Sequence, residues 1–265
     1  MRSTDPRDYQ SLAQPVALMS KLFPAGYRVE PHTHARDQLL YAASGTMHIR
    51  TAQHAWLVPP DRALYMPAGF VHSVAMHGPV EMRTLYIAPG SMPGLPREPR
   101  ALAARELLRA LIDALFEEPV EYGVGSRGDR VARLILDEIV RAEPLALSIP
   151  MPRDRRLLRV CEGLIAAPES GLSLEDWARA AGASARTLAR LFQSECGMSF
   201  SAFRQRVRLH AAIDALSRGM PVGAVARDHG YRSASAFSAA FRAALGVTPK
   251  SVAGPARSGS KGTGT

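Results

Sequence analysis

Ser173-Leu-Glu-Asp-Trp-Ala-Arg-Ala-Ala-Gly182, continuing as Ala-Ser184-Ala-Arg-Thr-Leu-Ala-Arg-Leu-Phe192, predicts two short helices joined by a tight turn. Ser173 suits an N-cap, Glu175 and Asp176 complement the positive end of the first helix, and Gly182 supplies the backbone freedom the turn needs. Ser184 then caps a second helix. Leu188, Leu191 and Phe192 share its inner face, whereas Ala185, Arg186, Ala189, Arg190 and Gln193 fall on the outer one.

The pattern returns further along the chain. Leu174 matches Val222, Ala178 matches Ala226 and Gly182 matches Gly230 at an offset of 48; past the turn the offset is 49, pairing Ser184 with Ser233, Leu188 with Phe237, Phe192 with Phe241 and Gly197 with Gly246. Pro221 suits the first helical position of the second copy, and Ser233 caps its second helix. A helical connector from about Phe200 to Leu216, with Phe203, Val207 and Ala211 on one face, joins the copies. One supersecondary unit is used twice.

This duplicated helix-turn-helix resembles the DNA-binding domain of the AraC/XylS family of bacterial transcription regulators. The resemblance runs from roughly Pro152 to Ala253 and is most specific in Gly230-Tyr-Arg-Ser-Ala-Ser-Ala-Phe-Ser-Ala-Ala-Phe-Arg-Ala-Ala-Leu-Gly-Val-Thr-Pro249. It implies double-stranded operator DNA as partner, met by Ser184, Arg186, Thr187, Arg190 and Gln193 in the first copy and by Ser233, Ser235, Ser238 and Arg242 in the second. Family members often carry larger polar side chains on the second reading helix. Ala234, Ala236, Ala239 and Ala240 leave few groups there able to reach bases, so the second copy is expected to position more than it reads.

Charge agrees with that partner. The net charge of +9 lies wholly in residues 153–265, which hold 17 Lys and Arg against 8 Asp and Glu, while residues 1–152 hold 16 of each. A basic half beside a neutral half suits a polyanion, since neutralising phosphates drives DNA affinity. At 265 residues, 46% of them hydrophobic, the chain has the length and apolar content for two domains with full cores. The two cysteines, Cys161 and Cys196, lack the spacing of a zinc or redox motif and are expected as buried thiols in a reducing compartment. Asp5 and Asp8, with no apolar run behind them, argue against a leader peptide; with no apolar stretch of membrane-spanning length, no membrane partner is expected and the location is the cytoplasm.

Residues 1 to about 14 carry no structural signal. From Val16 to Ile87 short β-like runs alternate with Pro and Gly: Gly26–Pro31, Gln38–Ala42, Gly45–Arg50, Trp56–Val58, Ala63–Met66 and Met82–Ile87. Such spacing predicts a small sandwich or barrel. Within it, Gly26, His32, His34, Gln38 and Gly45, followed by Pro67, Gly69 and His72, resemble the two signature motifs of the cupin superfamily. In cupin enzymes three histidines and a Glu converge on one metal ion. Here Gln38 stands in the place of the Glu and Met76 in that of an Asn. His32 and His34 alternate along one strand, so both imidazoles point to one face, and His72 arrives from another. A lone barrel histidine is more often hydrogen-bonded filler, and His48, His54 and His77 are read so. The trio marks a site for a small effector, or less favourably a divalent metal; no cofactor is required, because regulators of this family commonly carry a metal-free effector pocket in front of the DNA reader.

Pro89 to Arg100 leaves the barrel. Two amphipathic helices follow, one from about Ala101 to Phe116 with Leu107, Leu108, Leu111, Ile112 and Leu115, the other from about Arg127 to Arg141 with Val131, Leu134, Ile135 and Ile139. They pack on the barrel or pair protomers. A Pro-stiffened linker spans Glu143 to Pro152.

The expected architecture is α+β: a cupin-like sensor barrel in 1–90, a helical dimerisation and linker segment in 91–150, an all-α double helix-turn-helix domain in 151–253, and a disordered tail in 254–265. The function expected is a ligand-responsive, sequence-specific transcription regulator, a homodimer and not an enzyme. The rival is a cupin oxygenase or isomerase working through His32, His34 and His72, with an appended DNA-binding domain. It lacks the metal-binding Glu, and no nucleophile elbow, P-loop or dinucleotide fingerprint occurs.

Overall fold

A computed structural model of the chain describes residues 3–60, 62–145, 148–217, 219–245 and 248–252. Gly246 of the repeat pairing and the tail 254–265 lie outside these. The chain divides into two compact units, Met1–Met151 and Pro152–Thr265.

The first unit is built on strands β1 (Val16–Phe23), β2 (Arg28–His32), β3 (Asp37–Arg50), β4 (His54–Val58), β5 (Arg62–Met66), β6 (His72–Ile87), β7 (Arg100–Ala103) and β8 (Ser148–Pro150). They form one eight-stranded sheet in the order β1-β6-β3-β4-β8, with β2 on β6, β5 on β3 and β7 on β5. Among the described residues the pairings leave it open, so the barrel expected from the strand pattern is a cupin-like sheet and not a closed ring. Its spine is the antiparallel pair β3 and β6, 14 and 16 residues long. The register slips between Ala42 and Ser44 and again between Ser44 and Thr46, bulges that bend the pair.

Period-two alternation then sorts the side chains. Val16, Leu18, Leu39, Tyr41, Leu85 and Ile87 face helices α1 (Glu106–Glu117) and α2 (Arg127–Arg141), and share one core with Leu108, Ile112, Leu115, Ile135 and Ile139. Met19, Lys21, Gln38, Leu40, Met82 and Tyr86 turn to the other face and line a cavity.

Three expectations change here. Residues 101–103 are strand, not helix: β7 pairs with β5 from Tyr65↔Arg100 to Arg62↔Ala103, and α1 starts only after the extended Arg105. Ala and Leu favour helix, but sheet pairing overrides that weak preference. Within the expected linker, Ser148–Pro150 is β8, held on β4 with Ile149 opposite Ala55, so this stretch belongs to the first unit. Leu107 and Leu134, placed on the packed stripes, are 55% and 50% exposed, and Leu136 is buried instead.

The second unit comprises α3 (Arg155–Ala166), α4 (Leu174–Ala181), α5 (Ala185–Cys196), α6 (Phe200–Ser217), α7 (Val222–Asp228), α8 (Ala234–Leu245) and α9 (Pro249–Val252). Ser173 caps α4 in a full capping box with Asp176, and Gly182 closes it at φ 68°. Asp176 is held below the usual carboxylate range by the Ser173 hydroxyl and backbone N–H. Helix α6 is the central post: Phe203, Leu209, Ala212, Ile213 and Leu216 are buried, and Arg208 donates to the Pro168 and Ser170 carbonyls, fixing the loop into α4. Phe192 packs against Phe203 with centroids 5.3 Å apart, and Phe237 against Phe241 at 5.4 Å, the rings tilted in both pairs. All four rings are fully buried, each contributing about 1.5–3 kcal/mol.

Trp177 is only half-buried. Its ring lies over α3 so closely that a β-carbon on Gly163 would stand 2.5 Å from it. Pro221 is the N-cap of α7 and not its first residue. Cys161 and Cys196 are both buried and free. No helix among the described residues is long and apolar enough to cross a membrane.

Candidate functional site

The first surface is the outer side of α5. Arg186, Arg190 and Gln193 are exposed there at i, i+4 and i+7, one stripe of a helix. Among the described residues neither guanidinium is ion-paired, leaving both groups available. Ser184 and Thr187 are drawn into the cap: the Ser184 hydroxyl accepts from the Thr187 N–H at 3.1 Å and lies 2.9 Å from its hydroxyl. On α8 the expected readers are spent locally. Ser233 accepts from the Ala236 N–H at 3.1 Å and meets the Ser235 hydroxyl at 3.0 Å, while Ser238 donates to the Ala234 carbonyl at 2.7 Å. Arg242, exposed in the last turn, is the charged group left on that helix.

The second surface is the cavity of the first unit, of about 110 Å³. The sequence-predicted His32, His34, Gln38 and His72 all line or adjoin it, and the ligand atoms of the three histidines lie within 4.8 Å of one another. β2 delivers His32, which is paired with His72 at the start of β6, and β3 delivers Gln38. The rings contact each other with centroids 4.4 Å (His32 and His72), 4.8 Å (His32 and His34) and 5.6 Å (His34 and His72) apart.

Hydrogen bonds fix what these groups present. Nδ1 of His32 lies 2.8 Å from the Glu30 carbonyl and Nδ1 of His72 lies 3.1 Å from that of Phe70. A carbonyl only accepts, so both rings carry their proton on Nδ1 and offer Nε2 as an acceptor. Thr84 donates to the Leu39 carbonyl at 3.3 Å and must therefore accept from Nε2 of Gln38 at 2.9 Å, which leaves the Gln38 Oε1 facing away. That oxygen and Nε2 of His34 and His72 are buried without a hydrogen-bond partner among the described residues. Burial, then the neighbouring His32 and His72, pull the His34 pKa down to about 4; burial does the same to His72, against the opposing Phe70 carbonyl. At neutral pH both rings are uncharged with free lone pairs.

Such a set fits a metal in part. The imidazoles of His32 and His72, held by backbone carbonyls, are the supported ligands a metal needs and His34 stands beside them, but among the described residues no carboxylate joins them. Tetrahedral zinc would require nitrogens about 3.4 Å apart, closer than the separations of up to 4.8 Å here.

Comparisons with known proteins follow the same division. Residues 24–145 match the model of an AraC-like ligand binding domain and residues 177–253 that of a helix-turn-helix domain. The HTH-type transcriptional regulator NimR of Escherichia coli K12 is 30% identical over 218 residues, 82% of this chain and 80% of that protein. The chain belongs to the AraC family of transcription regulators. RipA of Corynebacterium glutamicum, a second HTH-type transcriptional regulator, is 32% identical over 128 residues, 48% of this chain and 37% of that protein. The crystal structure of ToxT from Vibrio cholerae is 10% identical, covers 89% of this chain and 97% of that one, and superposes with a TM-score of 0.36.

As an AraC-family regulator the chain binds DNA through its helix-turn-helix unit and answers to a ligand in its sensor unit. Sequence reasoning missed two groups of this AraC-type sensor. Lys21 lines the cavity from β1, and its signal was the alternation Met19, Lys21, Phe23 on one face. The other is the N-terminal segment: Tyr9, 1% exposed, stacks on Tyr86 at 5.7 Å, and buried Arg36 holds the Leu12, Gln14 and Pro15 carbonyls. Thr4 and Pro6 thereby reach the cavity. A polar leading stretch gives no periodicity to announce this.

Proposed function

We propose that this regulator is a cytoplasmic homodimer, not an enzyme, that grips its operator mainly through Arg186 and Arg190 on α5. In this reading Gln193 and Arg242 contact the backbone or single bases, and Ser184, Thr187, Ser233, Ser235 and Ser238, hydrogen-bonded within their own turns, add smaller contacts. Its affinity for DNA is set by a small organic effector among His32, His34, Gln38 and His72. The observation that carries the sensor reading is a pair of buried acceptors with no partner among the described residues, Oε1 of Gln38 on the cavity wall and Nε2 of His72 beside it. Buried polar groups left unpaired are costly, so the site gains by being filled. A ligand shifts DNA binding only by favouring one of two arrangements of the protein.

A metal is the second reading, favoured by the three imidazoles within 4.8 Å. Elemental analysis of the purified chain and operator affinity of a His32→Ala, His72→Ala variant separate the two. No stoichiometric metal in the parent, and loss of the effector response in the variant at unchanged basal DNA affinity, is the expected result. Stoichiometric metal lost in the variant would establish the metal reading. An unchanged response would place the sensing site elsewhere.

Pairing rests on Leu107 and Leu134, large apolar side chains at least half exposed on α1 and α2. The full chain should sediment at twice its monomer mass, and Leu107→Glu with Leu134→Glu should halve that mass while leaving the fold intact. A parent that is monomeric at micromolar concentration removes these helices as a pairing surface.

A further inference from the structure

We infer that the effector is a short-chain hydroxy acid, whose hydroxyl donates to Oε1 of Gln38 or Nε2 of His72 while its carboxylate is held by Lys21. The inference deepens the effector reading and rests on it.

Donor and acceptor accounting demands two opposite ends. At the histidine end two orphan atoms are acceptors: the His72 ring gives its Nδ1 proton to the Phe70 carbonyl and so presents a bare Nε2, and the Gln38 amide, bound to Thr84 through one N–H, presents Oε1. These two atoms call for an O–H or N–H. The other end is Lys21, on the cavity side of β1 between exposed Leu22 and the rest of the strand, its Nζ 5.2 Å from the Phe23 ring centroid. Among the described residues no carboxylate lines the cavity. Asp5, which feels the charge of Lys21, is already forked by Arg7 at 2.6 and 3.1 Å. An ammonium on a cavity wall without a carboxylate, its neighbouring Asp5 engaged by an arginine, favours a ligand carboxylate.

The space between sets the body. Met19, Leu40, Val74 and Met82 offer hydrocarbon and no polar partner, which disfavours a sugar with hydroxyls on every carbon. A volume of about 110 Å³ is below the ~150 Å³ of an engineered cavity that holds benzene, so the body is a few carbons long. A bare divalent cation answers the acceptors but shares the recess with the like charge of Lys21.

Three matched probes test this on the full-length protein by calorimetry: 3-hydroxybutyrate, butyrate without the donor, and butane-1,3-diol without the anion. The hydroxy acid should bind at least about tenfold more tightly than either, as charged and well-placed hydrogen bonds are worth that much. Lys21→Met should erase the advantage over the diol, and Gln38→Leu, backed by His72→Phe, should reduce the advantage over butyrate. Because the ligand comparison uses the unmodified protein, a variant that fails to fold does not blunt the test. A diol that binds as well as the acid, or an acid indifferent to Lys21→Met, overturns the inference. Should none of the three bind, this ligand class is wrong; the effector reading then stands or falls separately on whether the His32→Ala, His72→Ala variant loses the response to any other compound.

Discussion

Arg186→Ala combined with Arg190→Ala is expected to cost this regulator about 2–6 kcal/mol of operator affinity, since a well-made Arg–guanine pair discriminates by about 1–3 kcal/mol. The low end is a loss of about 30-fold. Both side chains are exposed on one stripe of α5, away from Leu188, Leu191 and Phe192, which anchor the helix inside the unit. Thermal stability should therefore stay within about 0.5 kcal/mol of the parent, as for surface changes that disturb no packing. Titration against the footprinted operator and against unrelated DNA, each at several salt concentrations, identifies the kind of contact. Base readers lose affinity for the operator alone, whereas phosphate contacts lose it uniformly and lower the salt slope by about one unit each. The matching change on α8, Arg242→Ala, should cost less, because the serines of that helix are hydrogen-bonded within their own turns. Parent-like binding by the double variant would mean that α5 does not face the DNA.

What could be read in advance follows from where the information sits. The helix-turn-helix units are written in local code: Ser173 with Asp176, Gly182 and Ser184 each fix a boundary by hydrogen bonds to near neighbours. Helix α2 was legible for the same reason, with Ser126 capping it and its apolar spacing complete. Helix α3 carried equally plain signals, an Asp154 cap and Leu157, Val160, Cys161 and Leu164 at helical spacing, and was not read as an element. The sheet was harder because its partners are distant in sequence. β7 and β8 exist only through β5 and β4, and nothing within 101–103 or 148–150 announces those partners. The histidine trio could be found by its motif spacing, although β2 ends at His32 and His34 lies beyond it, not on the same strand as the alternation supposed. Its polarity could not, since the free acceptor on Gln38 is decided by Thr84 and Leu39, far along the fold from the motif.

Gly45 shows the same limit from the other side, and Gly45→Ala is expected to destabilise the sensor unit by about 2–5 kcal/mol. In sequence a glycine between two β-like runs reads as a turn, yet β3 continues through it from Asp37 to Arg50, with a bulge at this point. Its φ is +78°, and the partner strand β6 runs against it so closely that an added methyl would collide with the Pro79 carbonyl oxygen and lie 2.9 Å from Cγ2 of Val80. The left-handed backbone alone costs about 1–2 kcal/mol for any other residue, and displacing packed backbone adds about 1–3 kcal/mol. Neither can relax easily, because Pro79 sits in a bulge of β6 that is anchored on both sides, by the pairing of residues 73–77 and 81–87 with β3 and of 80–87 with β1. Gly26 supplies the control: its φ is +75°, but nothing stands within 4 Å of the position its methyl would take. Gly26→Ala should therefore cost only the conformational part, about 1–2 kcal/mol. Urea unfolding of the full chain, followed by tyrosine exposure in the sensor unit, gives both values. The gap between them measures the close crossing of β3 and β6, and equal losses from the two variants would show that the crossing has room for a side chain.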